Sequence, residues 1–257
     1  KRAASVTAIA LLNLAGCTDR EPLKSETQVE MNQPAVSLTQ ARRSIVNGYL
    51  EGQEGLRSTV ALLETRGEFF CTGTLIHPRV VLTAAHCLED TASSAVEVGY
   101  QTLSGLDVST SQRVKVSAVI SHESYNWDAP TTHESGLGQY HDIGLLILSE
   151  PIGQSTSALL PQAHVAQALG ERAQLTISGY GINDLQTSAS GTLHTGQVPL
   201  IHRADHELLA GDRGNVTDTC NGDSGGPAYL NHDGVRYVVG VTSRAADTAN
   251  LDCGDQG

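Results

Sequence analysis

From residue 45 onward the chain is a succession of short apolar runs rich in Val, Leu, Ile and Thr, each closed by Gly, Pro, Asp, Asn or Ser. Runs too short for helices and bounded by turn residues are strand signals. They occupy 58–63, 69–76, 79–83, 95–99, 113–121 and 143–149, then 173–179, 193–201, 207–210, 227–231 and 235–242. The first six suffice for one small closed barrel, and the remaining five supply most of a second. With 26 glycines against 16 Lys+Arg, the composition suits tight turns. A chain of 257 residues is long enough to bury a proper core in each unit.

The first 44 residues read differently. Lys1-Arg2 followed by the mostly apolar run 3–16 is a basic region and a hydrophobic region, too short to span a bilayer as a helix. This pattern predicts a signal peptide over 1–17. Residues 18–44, rich in Glu, Ser, Thr, Gln and Pro with few apolar side chains, cannot bury enough surface to fold alone and predict a tether or propeptide. The formal charge of −12 argues against nucleic acid or an anionic membrane surface as partner, since both need a basic patch.

The chemistry concentrates at Cys220-Asn221-Gly222-Asp223-Ser224-Gly225-Gly226, where glycines flank a single serine and let backbone amides converge on whatever that serine attacks. A serine hydroxyl needs a base to take its proton and a third group to orient that base. His86, in Thr83-Ala84-Ala85-His86-Cys87, and Asp142, which opens the apolar run 143–148, are the candidates. A carboxylate beside such a run is buried and requires a partner. Among the other histidines, His77, His122, His133 and His141 are expected on solvated turns.

These segments resemble the trypsin/chymotrypsin family of serine proteases, whose catalytic residues follow the order His, Asp, Ser. Ile45-Val46-Asn47-Gly48, Cys71-Thr72-Gly73-Thr74-Leu75-Ile76 and Gly179-Tyr180-Gly181 match further landmarks of that family, so the resemblance covers 45–257. It implies an all-β fold of two antiparallel six-stranded Greek-key barrels, 45–161 and 162–257, the second truncated at its C-terminal end, where the family normally adds another strand and a helix. His86 is implied as general base, Asp142 as its orienting group and Ser224 as nucleophile, with the amides of Gly222 and Ser224 as oxyanion hole. Ser243 is implied to bond Asp142. Asp218 is implied at the floor of a specificity pocket with Thr219, Ser243 and Ala245, which selects Arg or Lys. Arg244 and Ala245 stand where the family commonly has Trp and Gly, so a narrower pocket wall with its own positive charge is expected.

The resemblance also implies the disulfides Cys71–Cys87 and Cys220–Cys253 and therefore an oxidising compartment. Asp223 would receive the new α-amino group of Ile45 once the chain is cut before that residue. Because Arg42-Arg43-Ser44 precedes Ile45, a cut after Arg43 misplaces the ammonium by one residue, about 3.5 Å, and the activating protease is unidentified. Cys17 is left over, and Leu14-Ala15-Gly16-Cys17 resembles the lipobox of bacterial lipoproteins, implying a lipid anchor as the membrane contact. No cofactor or metal is expected, since 100–107 offers one carboxylate where some members bind calcium. The insertion from Trp127 to Gln139 is expected to be a mobile surface loop. The leading expectation is an exported, monomeric bacterial serine endopeptidase acting on proteins or peptides. The alternatives are a non-catalytic binding protein on the same scaffold and a protease preferring small or apolar residues.

Overall fold

The computed structural model describes residues 7–11, 45, 57–100, 107–133, 136–160, 164, 167–170, 172–182, 188–211, 217–245 and 253. Six strands form a closed antiparallel barrel: β2 (Thr59–Glu64), β3 (Phe69–His77), β4 (Val80–Thr83), β5 (Val96–Tyr100), β6 (Gln112–Ser121) and β7 (Gly144–Leu148). Their order around the barrel is β2-β3-β4-β7-β6-β5. Alternation dictates what fills it: in β7 the residues Gly144, Leu146 and Leu148 are buried while Leu145 and Ile147 are only partly so. Leu62, Leu75, Val81, Leu82, Val98 and Leu146 are at most 1% exposed, each burial contributing on the order of 1.5–3 kcal/mol.

The second sheet is built from β9 (Gln174–Gly179), β10 (His194–Arg203), β11 (Glu207–Ala210), β12 (Pro227–His232) and β13 (Val235–Ala245), with the two-residue β8 (Ala158–Leu159) alongside β13. These bounds lie within a few residues of the runs read from the sequence. The place expected to stand empty is taken by β1 (Thr7–Leu11), which pairs antiparallel with β11 on one side and β13 on the other. The second sheet thus has no gap between β11 and β13. This strand falls in the apolar stretch read as the leader's hydrophobic region. An apolar run with no helical period is a competent strand when two edges with unpaired amides flank it. Residues 12–44, with Cys17 and the tether, lie outside the described residues, as does the calcium-loop segment 101–106.

Ile45, buried at 0%, packs with Leu175, Ile177, Val198, Leu208 and Val239 in the second core. The first core runs across the seam to Tyr229, Val238 and Val241. There the Tyr229 hydroxyl meets Ser58 Oγ at 2.9 Å and Thr59 Oγ1 at 3.1 Å. Burial pushes the Tyr229 phenol up, and an unmade bond at such a hydroxyl costs about 1–3 kcal/mol. The seam is held by apolar contact and by a satisfied polar cluster together. Both disulfides are formed, Cys71–Cys87 and Cys220–Cys253. No helix among the described residues is long and apolar enough to cross a membrane.

Candidate active site

His86 begins a single 3-10 turn after β4, so the first barrel presents its ring at the seam. Asp142 precedes β7 and is fully buried. Its Oδ1 accepts the His86 amide at 2.8 Å, and its Oδ2 lies 2.7 Å from His86 Nδ1. Ser243, on β13, donates its hydroxyl to the same Oδ2 at 2.5 Å. Burial pushes the Asp142 carboxyl up, but the hydrogen bond and charge of His86, with the bonds from Ser243 and the His86 amide, bring it below the usual carboxylate range. The carboxylate therefore stays ionised in a dry site. It fixes Nδ1 as the protonated ring nitrogen and leaves Nε2 for chemistry.

Ser224 and His86 line one cleft of about 330 Å³, together with Trp127, Thr219, Asn221, Thr242, Ser243, Arg244 and Ala245. No hydrogen bond joins Ser224 to His86 among the described residues, and such bonds often close only when substrate is present. The loop around Ser224 is pinned from several sides. Thr72 takes the Ser224 carbonyl through its amide at 2.8 Å and donates its hydroxyl to the Gly222 carbonyl at 2.8 Å. The amides of Asp223, Gly225 and Gly226 go to Cys220, Thr242 and Asp223 carbonyls. Among the described residues the amides of Gly222 and Ser224 meet no internal acceptor, which is what an oxyanion hole requires. Gly222 has φ +95°, and a Cβ there would sit 2.6 Å from the Phe69 ring and 2.9 Å from Gly181 Cα, so only glycine fits.

Asp223 is wholly buried. Its Oδ1 accepts the Gly181 amide and its Oδ2 the Cys220 amide, each at 2.8 Å. Burial pushes its pKa up to about 7 against the lowering by those two bonds, and the charge of Asp218 raises it further. Asp218 is 3% exposed with its Oδ1 on the Thr219 amide at 2.8 Å. Thr219, Ser243 and Ala245 line the cleft, whereas Asp218 is not among the lining residues.

Two expectations are corrected. Arg244 does not add a free positive charge to the cleft wall: its guanidinium bonds both oxygens of Glu207 at 2.5 and 3.0 Å and the Gly136 carbonyl at 2.8 Å. It also lies 3.6 Å over the Tyr140 ring. Glu207 was not singled out from the sequence, although a charged residue opening the apolar run 207–210 is the same signal that pointed to Asp142. The described part of the insertion, 127–133 and 136–139, is not loose either. Thr131 and Gly138 form a bridge, Leu137 is buried against Leu209, and the Gly138 amide donates to Glu207 at 2.6 Å. Trp127, 44% exposed, stands 5.2 Å from the His86 ring, centre to centre.

Comparison with known proteins finds relatives over most of the chain. Vitamin K-dependent protein C of Rattus norvegicus is 32% identical over 228 residues, covering 81% of this chain and 47% of that protein. The Mus musculus protein of the same name is 30% identical, covering 77% and 45%. Coagulation factor IX of Cavia porcellus is 27% identical, covering 73% and 68%. The chain thus spans about half the length of the two protein C relatives. A family model described as Trypsin matches residues 45–254, which contain His86, Asp142 and Ser224. The chain belongs to the trypsin family of serine proteases.

Proposed function

We propose that this protein is an endopeptidase that cuts after Arg or Lys through an acyl-enzyme and becomes active once the chain is cut before Ile45. The observation that carries the reading is the Ser243–Asp142–His86 hydrogen-bond chain, which opens onto the cleft lined by Ser224. Ser224 Oγ attacks the scissile carbonyl as His86 Nε2 takes its proton, and Asp142 stabilises the imidazolium. The amides of Gly222 and Ser224 hold the oxyanion, each donor contributing about 3 kcal/mol. His86 then protonates the leaving amine, and water repeats the sequence on the acyl ester.

Preference for Arg or Lys rests on the Asp218 carboxylate, buried beside the cleft residue Thr219. Activation rests on Asp223: a buried carboxylate near pKa 7 that bonds two amides and, among the described residues, no cation is suited to accept an ammonium. Ile45 already packs inside the second barrel. Two disulfides support export, since such bridges persist in oxidising compartments. Lipid attachment at Cys17 is proposed from its lipobox-like setting.

The test is hydrolysis of peptide amides with Arg, Lys, Phe or Ala at the cleavage position by the full chain cut before Ile45, beside Ser224→Ala. Turnover of Arg and Lys substrates, lost in the variant, is expected. Turnover of Phe or Ala substrates alone keeps the triad and discards Asp218 as selector. A folded protein without turnover has a binding role instead.

A further inference from the structure

Five of the ten histidines lie where two segments from different barrels meet. His122, His133 and His141 belong to the connection between β6 and β7, and His202 and His206 to the end of β10 and its turn into β11. The His141 ring stacks on His122 with centres 4.9 Å apart and meets His206 at 4.7 Å. His133 stacks on His202 at 4.3 Å between the same two segments. Solvated turn histidines have no reason to seek one another, because any that gain a proton repel their neighbours.

We propose that His122, His141 and His206 bind a divalent first-row transition ion of the zinc class, clasping the β6–β7 connection to the β10–β11 turn beside the catalytic aspartate. Neutral imidazole suits such ions, whereas calcium and magnesium take oxygen ligands. The centres are 4.9 and 4.7 Å apart, with the His122 and His141 planes within 8° of parallel and those of His141 and His206 inclined at 55°, so the three rings are packed neighbours rather than a formed coordination shell. The donor nitrogens are not yet gathered on one point, so closure requires side-chain rotation: among the described residues, the group whose donor atoms already converge is Cys71, His86 and Cys87. Its sulfurs are spent in a disulfide.

Access and freedom to move favour the histidines. His122 is exposed, and His141 and His206 are partly so. His122 Nδ1 accepts the Ser124 amide at 3.1 Å, so coordination at Nε2 moves the ring proton to Nδ1 and exchanges that bond for one to water. Glu207, whose charge also acts on His141, is held by Arg244 and Gly138 and leaves the remaining ligand positions to water.

His141 adjoins Asp142, so an ion that pulls His141 toward His206 disturbs the carboxylate that orients His86. The second consequence, reversible inhibition, rests on the proposed protease activity, whereas binding does not. Binding is therefore measured first on the full-length His86→Ala chain, which is inactive and lacks the other convergent group. Titration with Zn²⁺ by calorimetry is expected to give one site per chain, weakened at least about tenfold by His122→Gln or His206→Gln and unchanged by the distant His77→Gln. Co²⁺ is expected to give a visible spectrum without thiolate charge transfer. Absence of a Zn²⁺ site, indifference of its affinity to His206→Gln in a variant of unchanged melting temperature, or a thiolate band each overturns the site. In the active protein, Zn²⁺ is expected to lower kcat at least about tenfold at unchanged KM, with His206→Gln relieving it. Binding without that loss overturns the coupling to Asp142.

Discussion

At the residue scale, the proposed chemistry rests on a carboxylate that must be buried and yet ionised. Asp142 manages this with three donors on two oxygens. Replacing it with Asn keeps the shape but favours the wrong imidazole tautomer, so Asp142→Asn is expected to lower kcat about 10⁴-fold with little change in KM, read by steady-state kinetics. Its depressed pKa also sets a sign: the stabilisation is present above 3.8, the unfolded value, and is lost as pH falls through the lower folded value. The stability gap between wild type and Asp142→Asn in urea unfolding should therefore shrink in acid. Arg244 and Glu207 form a second largely buried charge pair among the described residues, with side chains 11% and 1% exposed. Glu207→Gln strands the guanidinium and is expected to cost about 3 kcal/mol of unfolding free energy. An unchanged denaturation midpoint would show that Tyr140 and Gly136 suffice to hold Arg244. The candidate triad was legible because each of its residues stands in a distinctive local setting. This ion pair was not, since a sequence gives no sign that a residue on β11 faces one on β13.

At the scale of elements, the 220–226 loop is the part most dependent on glycine and on a single carboxylate. Asp223 is raised to about 7 in the folded chain, opposite in sign to Asp142. Its contribution to stability is fully present below 3.8 and is lost as pH rises through about 7. In the uncut chain, wild type is expected to lose melting temperature relative to Asp223→Asn across that window. Cutting before Ile45 should flatten the loss by supplying an ammonium. Equal pH profiles before and after cutting would separate Ile45 from Asp223. Apart from β1 and β8, the strands were legible to within a few residues, because period-two burial and turn residues are local properties. The anchoring of 127–139 was not, because Leu137 and Gly138 are fixed by partners on β11.

For the whole molecule, the notable arrangement is that a strand from the far N-terminal end lies in the second sheet. β1 pairs with four residues of β11 and with β13 from Gly240 to Ala245. Deleting residues 1–44 is expected to expose both edges, lowering the melting temperature and speeding amide exchange in β11 and β13 while leaving the first barrel protected. Unchanged exchange in those two strands would show that β1 does not hold that place in solution. The seam between barrels explains why the proposed catalytic residues need both: His86 and Asp142 flank β4 and β7, whereas Ser224 and Ser243 come from the second half.

The sequence by itself determined eleven of the thirteen described strands, the contiguous Ser224 loop with its required glycines, and the placing of His86 and Asp142 beside apolar strands. Those features depend on neighbours along the chain, where sterics and hydrophobic period act directly. Only the tertiary structure decided that β1 fills the space between β11 and β13, that Glu207 neutralises Arg244, and that Asp218 is buried with its Oδ1 on the Thr219 amide. The meeting of His122, His141 and His206 was decided there as well. Each of these joins groups far apart in sequence through pairing edges, buried charge or ring contact. Such partners are chosen by what packing leaves unsatisfied, which no local pattern records.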